Sequence, residues 1–102
     1  MDKPKIVCLC GSTRFMDAFV EAYIQESGKG NVVLTVAGNP RDRPDYELIK
    51  PTLDRMYLYK VAMSDEVLVL NVGGYTGDST KREIDYARKL GKRIRWLEKG
   101  GS

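Results

Sequence analysis

The chain is predicted to be an α/β domain in which a parallel sheet carries helices on both of its faces. Two observations carry that expectation. Short apolar runs without polar alternation recur along the chain, as strands covered on both sides require. Between them lie longer segments whose apolar residues recur at helical spacing, and that alternation builds parallel sheets.

Residues 5–10 (Lys-Ile-Val-Cys-Leu-Cys) are the first run, closed by Gly11, and are predicted as a central strand. Phe15, Met16, Phe19, Val20, Tyr23 and Ile24 then mark one stripe of a helix, with Ser12 or Thr13 available as N-cap and Gly28 and Gly30 to end it. Residues 31–36, with Val-Val-Leu-Thr-Val, are the second strand. Residues 38–51 mix Gly38, Pro40, Pro44 and Pro51 with Arg41, Asp42, Arg43 and Asp45, and read as a long loop with room for a turn of helix at 46–49. Pro51 suits the first turn of the next helix, whose stripe is Leu53, Tyr57 and Val61 with Met56 and Met63, ending near Ser64. Residues 66–72 (Glu-Val-Leu-Val-Leu-Asn-Val) are the third strand, and Gly73, Gly74 and Gly77 frame a flexible loop. Thr80, Ile84, Ala87 and Leu90 define a last helix closed by Gly91, and residues 93–97 supply a final short strand. The whole is a three-layer α/β/α, Rossmann- or flavodoxin-like domain over residues 1–98, with a parallel sheet of four to five strands and a frayed tail at 99–102.

A chain of 102 residues with 42% hydrophobic content holds one core and not two. It has no histidine, which excludes Ser-His-Asp and Cys-His machinery, His-ligated zinc and imidazole bases within this chain. Cys8 and Cys10 stand in an apolar segment at a spacing that is neither a metal quartet nor a redox pair, and read as buried strand thiols. Seventeen Lys and Arg against fourteen Asp and Glu leave a net charge of +3, so a nucleic-acid partner is not expected while a small anion is. No apolar run is long enough to span a bilayer and the first four residues do not resemble a signal peptide, so no membrane partner and a cytoplasmic location are expected.

Ligands of parallel sheets bind outside the carboxyl ends of the strands, where loops lead into helix N-termini. Two loops are rich in small and hydroxyl residues there. Gly11, Ser12, Thr13 and Arg14 offer free amides, two hydroxyls and a guanidinium to an anion such as a phosphate, or form an ordinary capped turn. In the second loop, Asp78 or Ser79 caps the helix, and Thr80, Glu83 and Ala87 share a face, which sets Glu83 beside the apolar stripe of Ile84 and Ala87. A carboxylate there is open to tuning by burial, or is a surface Glu paired with Lys or Arg.

The strand and loop of residues 5–14, the strand entry Asp-Glu-Val-Leu-Val-Leu at 65–70, and residues 77–91 with Glu-Ile-x-Tyr-Ala followed by Leu-Gly-Lys resemble the nucleoside 2-deoxyribosyltransferase-like superfamily, which includes nucleoside 5'-monophosphate N-glycosidases. The resemblance follows the order of elements over most of the chain. It implies that Glu83 is the nucleophile at the anomeric carbon and that Asp78 is the second catalytic candidate. Asp78, Ser79 and Thr80 would help hold the sugar and phosphate. Gly11, Ser12, Thr13 and Arg14 would supply further phosphate contacts or the nucleobase side, and Asn71, Gly73 and Gly74 the end of the third strand. Such chemistry needs neither histidine nor a cofactor, because a carboxylate stabilises or traps the oxocarbenium-like centre. The resemblance also implies a homodimer or higher oligomer, in keeping with helix residues such as Tyr57, Tyr59 and Met63 that so small a chain leaves incompletely covered.

Asn71 stands where many relatives carry an acidic residue, and the loop before Glu83 is one residue shorter than their Asp-Ser-Gly-Thr. An amide is no anionic acid or base, which supports a second expectation, a domain that binds a nucleotide or nucleotide-derived signal without turnover. A flavin reductase reading of Gly-Ser-Thr-Arg ranks third, with Gly73, Gly74 and Tyr75 as the sole flavin loop.

Overall fold

A computed structural model describes residues 3–100. Four parallel strands, β1 (Ile6–Cys10), β2 (Val32–Leu34), β3 (Glu66–Val69) and β4 (Arg93–Trp96), form one sheet in the order β2-β1-β3-β4. Three helices connect them, α1 (Met16–Gly28), α2 (Tyr46–Met63) and α3 (Asp78–Lys89). The predicted three-layer α/β/α architecture is what the chain adopts.

The pleat of β1 divides the core. Val7 and Leu9 point to one face and pack with Phe19 and Ala22 of α1 and with Leu68 and Leu70. Cys8 and Cys10 point to the other and pack with Tyr57 and Val61 of α2, Ile84 and Ala87 of α3, and Val67 and Val69. β1 and β3 are thus covered on both sides, which is why they read as unbroken apolar runs.

The strands are shorter than expected, β2 and β3 by three residues each, and it is β3 whose shortening bears on the site. It ends at Val69, and after Leu70 and Asn71 the chain folds into a 3-10 turn over Val72–Gly74. Gly73 and Gly74 have φ of 62° and 80° there, a left-handed backbone that side chains with a Cβ resist. The tail is anchored as far as Glu98, since Leu97 N–H donates to the Val69 carbonyl at 2.8 Å; Gly101 and Ser102 lie outside the described residues.

Two helices correct the sequence expectation. α2 starts at Tyr46, so the turn expected at 46–49 and the helix after Pro51 are one element with Pro51 inside it. Pro51 is exposed and near the helix start, so the hydrogen bond it forfeits is the one to the Glu47 carbonyl, and the helix continues. On α1 the buried side is Phe19, Ala22 and Glu26, while Val20, Tyr23 and Ile24 are about half exposed. The stripe is rotated because Glu26, a charged residue, occupies a core position. Its carboxylate meets Arg95, which also reaches Glu66 at 2.8 Å, and Lys29 closes on it at 3.0 Å. Arg95 and Lys29 hold the Glu26 carboxyl down to about 2.

Candidate active site

A cleft of about 1040 Å³ opens at the carboxyl edge of the sheet, over the ends of β1 and β2 and the loop that follows β3. Gly11, Ser12, Thr13, Arg14, Asp78, Ser79, Thr80 and Glu83 all line it, so the two loops singled out in the sequence share one cavity.

The β1 loop is shaped by close approach. A Cβ on Gly11 would lie 3.1 Å from the Leu70 Cβ and 3.2 Å from its carbonyl oxygen, so a larger residue would push the loop off β3. Ser12 Oγ accepts from the Arg14 amide at 3.3 Å and caps a 3-10 turn, Thr13–Phe15, that leads into α1. Arg14 then lies over Tyr75, 4.6 Å from guanidinium carbon to ring centroid, and Tyr75 meets Phe15 edge to face with centroids 6.0 Å apart.

α3 begins one residue earlier than a side-chain cap would set it. Gly77 is the N-cap, without a side-chain bond, and Asp78 is the first helical residue rather than the cap. A Cβ on Gly77 would meet the Tyr75 hydroxyl at 3.2 Å, so glycine lets the phenol fold across the helix start. One turn further, Thr80, Glu83, Ile84 and Ala87 turn inward, and Glu83 is 8% exposed. Burial pushes its carboxyl up to about 7, with a further push from Asp54; the Cys10 thiol donates to it and pulls it back, as do Arg82 and Lys50. Beneath it, the Tyr57 hydroxyl donates to the Leu9 carbonyl, and burial raises that phenol. The Cys10 thiol is raised as well, first by its hydrogen bond with Cys8 and then by burial.

Beside Glu83, Ser79 Oγ lies 3.5 Å from Lys50 Nζ and accepts from Arg82 at 3.1 Å. Asp54 answers both cations, at 2.7 Å from Lys50 and 3.6 Å from Arg82. Lys50 and Arg82 thus converge on Ser79 with Asp54 as their shared acid. Among the described residues no His, Cys, Asp and Glu side chains gather in a metal-ligating group.

Three expected site residues lie elsewhere. Asn71 is buried and exchanges two hydrogen bonds with the Glu98 backbone, at 3.2 and 2.9 Å. Gly73 N–H donates to the Glu98 carboxylate at 2.8 Å. Asn71 and Gly74 line a separate recess of about 300 Å³ with Trp96 and Lys99. The cause is the early end of β3, whose 3-10 turn swings these residues toward β4. Tyr57, Lys50, Arg82 and Arg41 line the cleft without having been singled out. The Lys50 and Asp54 spacing of one helical turn was a readable signal; that α2 and α3 pack side by side was not.

Neither a protein-family model nor a curated protein matches this chain.

Proposed function

We propose that this protein cleaves or transfers at the N-glycosidic bond of a (deoxy)nucleoside or its 5'-monophosphate, as its resemblance to the nucleoside 2-deoxyribosyltransferase-like superfamily implies, with Glu83 as nucleophile. The observation that carries this reading is a buried carboxylate on the floor of a cleft rimmed by cations, ionising near 7. Ordinary surface glutamates are neither buried nor so shifted, and a group poised near neutral pH suits catalysis.

The chemistry balances with the groups present. A Glu83 carboxylate oxygen bonds to C1' as the C1'–N bond breaks, and the bond pair leaves with the base. Water, or a second base, then attacks C1' and releases Glu83; the water proton ends on the departed base. Ser79, Lys50 and Arg82 are suited to a 5'-phosphate at the start of α3, where amides add to the positive field. Asp78 is exposed on the rim of the same cleft and is assigned to the sugar as the second catalytic carboxylate. No helix among the described residues is long and apolar enough to cross a membrane. A cytoplasmic setting and a homo-oligomeric state complete the proposal, the latter supported by half-exposed apolar residues on α1 and α2.

Incubation with a panel of nucleosides and their monophosphates, followed by chromatography for free base, tests it. Base release supports the enzyme. Tight nucleotide binding without any release makes the cleft a sensor instead.

A further inference from the structure

Cations line the cleft from both faces of the sheet, and only one set is needed for a 5'-phosphate. Lys50 and Arg82 belong to α2 and α3, which pack on one face of the sheet; Arg14 belongs to the turn that starts α1, on the other face. Arg14 is held over Tyr75, and no carboxylate answers its guanidinium among the described residues. Arg41 lines the same cleft with only its backbone amide engaged, on Asn39 Oδ1 at 3.0 Å. The neighbouring Arg43 differs, because Asp45 takes it in two bonds of 2.9 and 3.1 Å. Two guanidiniums without carboxylates therefore line the cleft, Arg14 from the α1 side and Arg41 from the turn after β2, which Thr13 meets through Asn39.

Resting on the proposed glycosidic reaction, we infer that Arg14 and Arg41 select and stabilise the leaving base, and that this base presents oxygen or ring-nitrogen acceptors, an oxo-base in preference to an amino-base. A sugar over Glu83 with its 5'-phosphate at Ser79 directs its base toward the α1 side. Guanidiniums are donors only, so they pair with the carbonyl and imine acceptors of an oxo-base and are opposed by an exocyclic amino group. The same donors favour departure, since the base leaves C1' with the bond pair as a ring anion and takes its proton from water afterwards. No protein acid is then required on that side, in a chain without histidine. Tyr75 is a positioning residue: its ring holds Arg14, and Gly77 leaves room for its hydroxyl.

The test uses two pairs of nucleoside 5'-monophosphates that differ chiefly in oxo against amino substitution, uridine with cytidine and inosine with adenosine. kcat/KM for base release is expected to favour the oxo member of each pair by about tenfold or more. R14A should shrink that ratio to about twofold, Y75L should shrink it by freeing the guanidinium, and Y75F should keep it. Equal rates within both pairs overturn the inference and leave the Glu83 reading standing. A uniform loss across all four substrates in R14A also overturns it, by putting Arg14 at the phosphate. No base released from any of the four, in ribose or 2'-deoxyribose form and with or without an added acceptor base, removes the glycosidic reading itself, and this inference with it.

Discussion

Cys10 at the end of β1 stands against the Glu83 carboxyl of α3, so a strand thiol and a helix carboxyl meet on the cleft floor, and the thiol holds that carboxyl below where burial alone would set it. Burial raises the carboxyl and the thiol lowers it, leaving about 7. If the carboxylate is the nucleophile, kcat/KM must rise with pH to a plateau through about 7. Cys10→Ala removes a donor to the charged form, so the rising limb should move to higher pH, whereas Cys10→Ser keeps the donor and should restore it. A limb that ignores Cys10 would detach the thiol from the site.

The same shift predicts a stability effect of definite sign. Glu83 ionises at about 7 in the fold against 4.5 ordinarily, so the native state holds the extra proton between these values. Stability is then full below about 4.5 and falls as pH rises through 7, by an amount on the order of 3 kcal/mol. Glu83→Gln cannot ionise and should abolish that fall. Urea unfolding of both proteins at pH 5 and pH 9 makes the comparison, and parallel pH dependences would contradict it.

Glu26 acts in the opposite direction. Its carboxyl is held at about 2 by Arg95 and Lys29, so its contribution is present above about 4.5 and is lost as pH falls toward 2. Arg95→Met removes the guanidinium that both acids share, leaves Glu26 to Lys29 and Glu66 to Lys5 and Arg93, and should cost about 1.5–3 kcal/mol at pH 7. Replacing all three by apolar residues of similar size should recover most of it. Denaturant midpoints of the single and triple variants decide the matter.

Gly11→Ala should be costly despite its size, because its Cβ would approach the Leu70 backbone to 3.2 Å. Overpacking of this kind costs about 1–3 kcal/mol and would displace the loop carrying Ser12 and Arg14. Thermal unfolding should report the first effect and a rise in KM the second. A silent Gly11→Ala would mean that the loop is not held by β3.

Light scattering should find a dimer or larger assembly at high micromolar concentration. Val20, Tyr23 and Ile24 on α1, and Tyr59 and Met63 on α2, are about half or more exposed, although Tyr57 is buried. A monomer at that concentration would show that this apolar surface does not drive self-association.

The sheet was legible because β1 and β3 are buried on both faces and leave no ambiguity of period. Glu83 was legible only in part, since its spacing with Thr80 and Ala87 set it beside the apolar stripe but left a surface glutamate paired with Lys or Arg open; its cleft was legible from the rule that loops after parallel strands share an edge. What the chain concealed depends on contacts between distant segments. Glu26 reads as solvent-facing until Arg95, far along the chain, neutralises it. Asn71 reads as a site residue until its bonds to the Glu98 backbone turn it toward β4. Pro51 reads as a helix start because the helix before it, Tyr46 to Lys50, has little of its own apolar pattern to announce it.

The most direct test of the account is base release by Glu83→Ala beside the wild-type protein, with nucleotide affinity measured in both. A lost nucleophile removes transition-state stabilisation far more than ground-state contacts. The account predicts that Glu83→Ala releases no free base from a nucleotide the wild type cleaves, while binding it within about tenfold of wild-type affinity. A Glu83→Ala protein that releases base at the wild-type rate would contradict it.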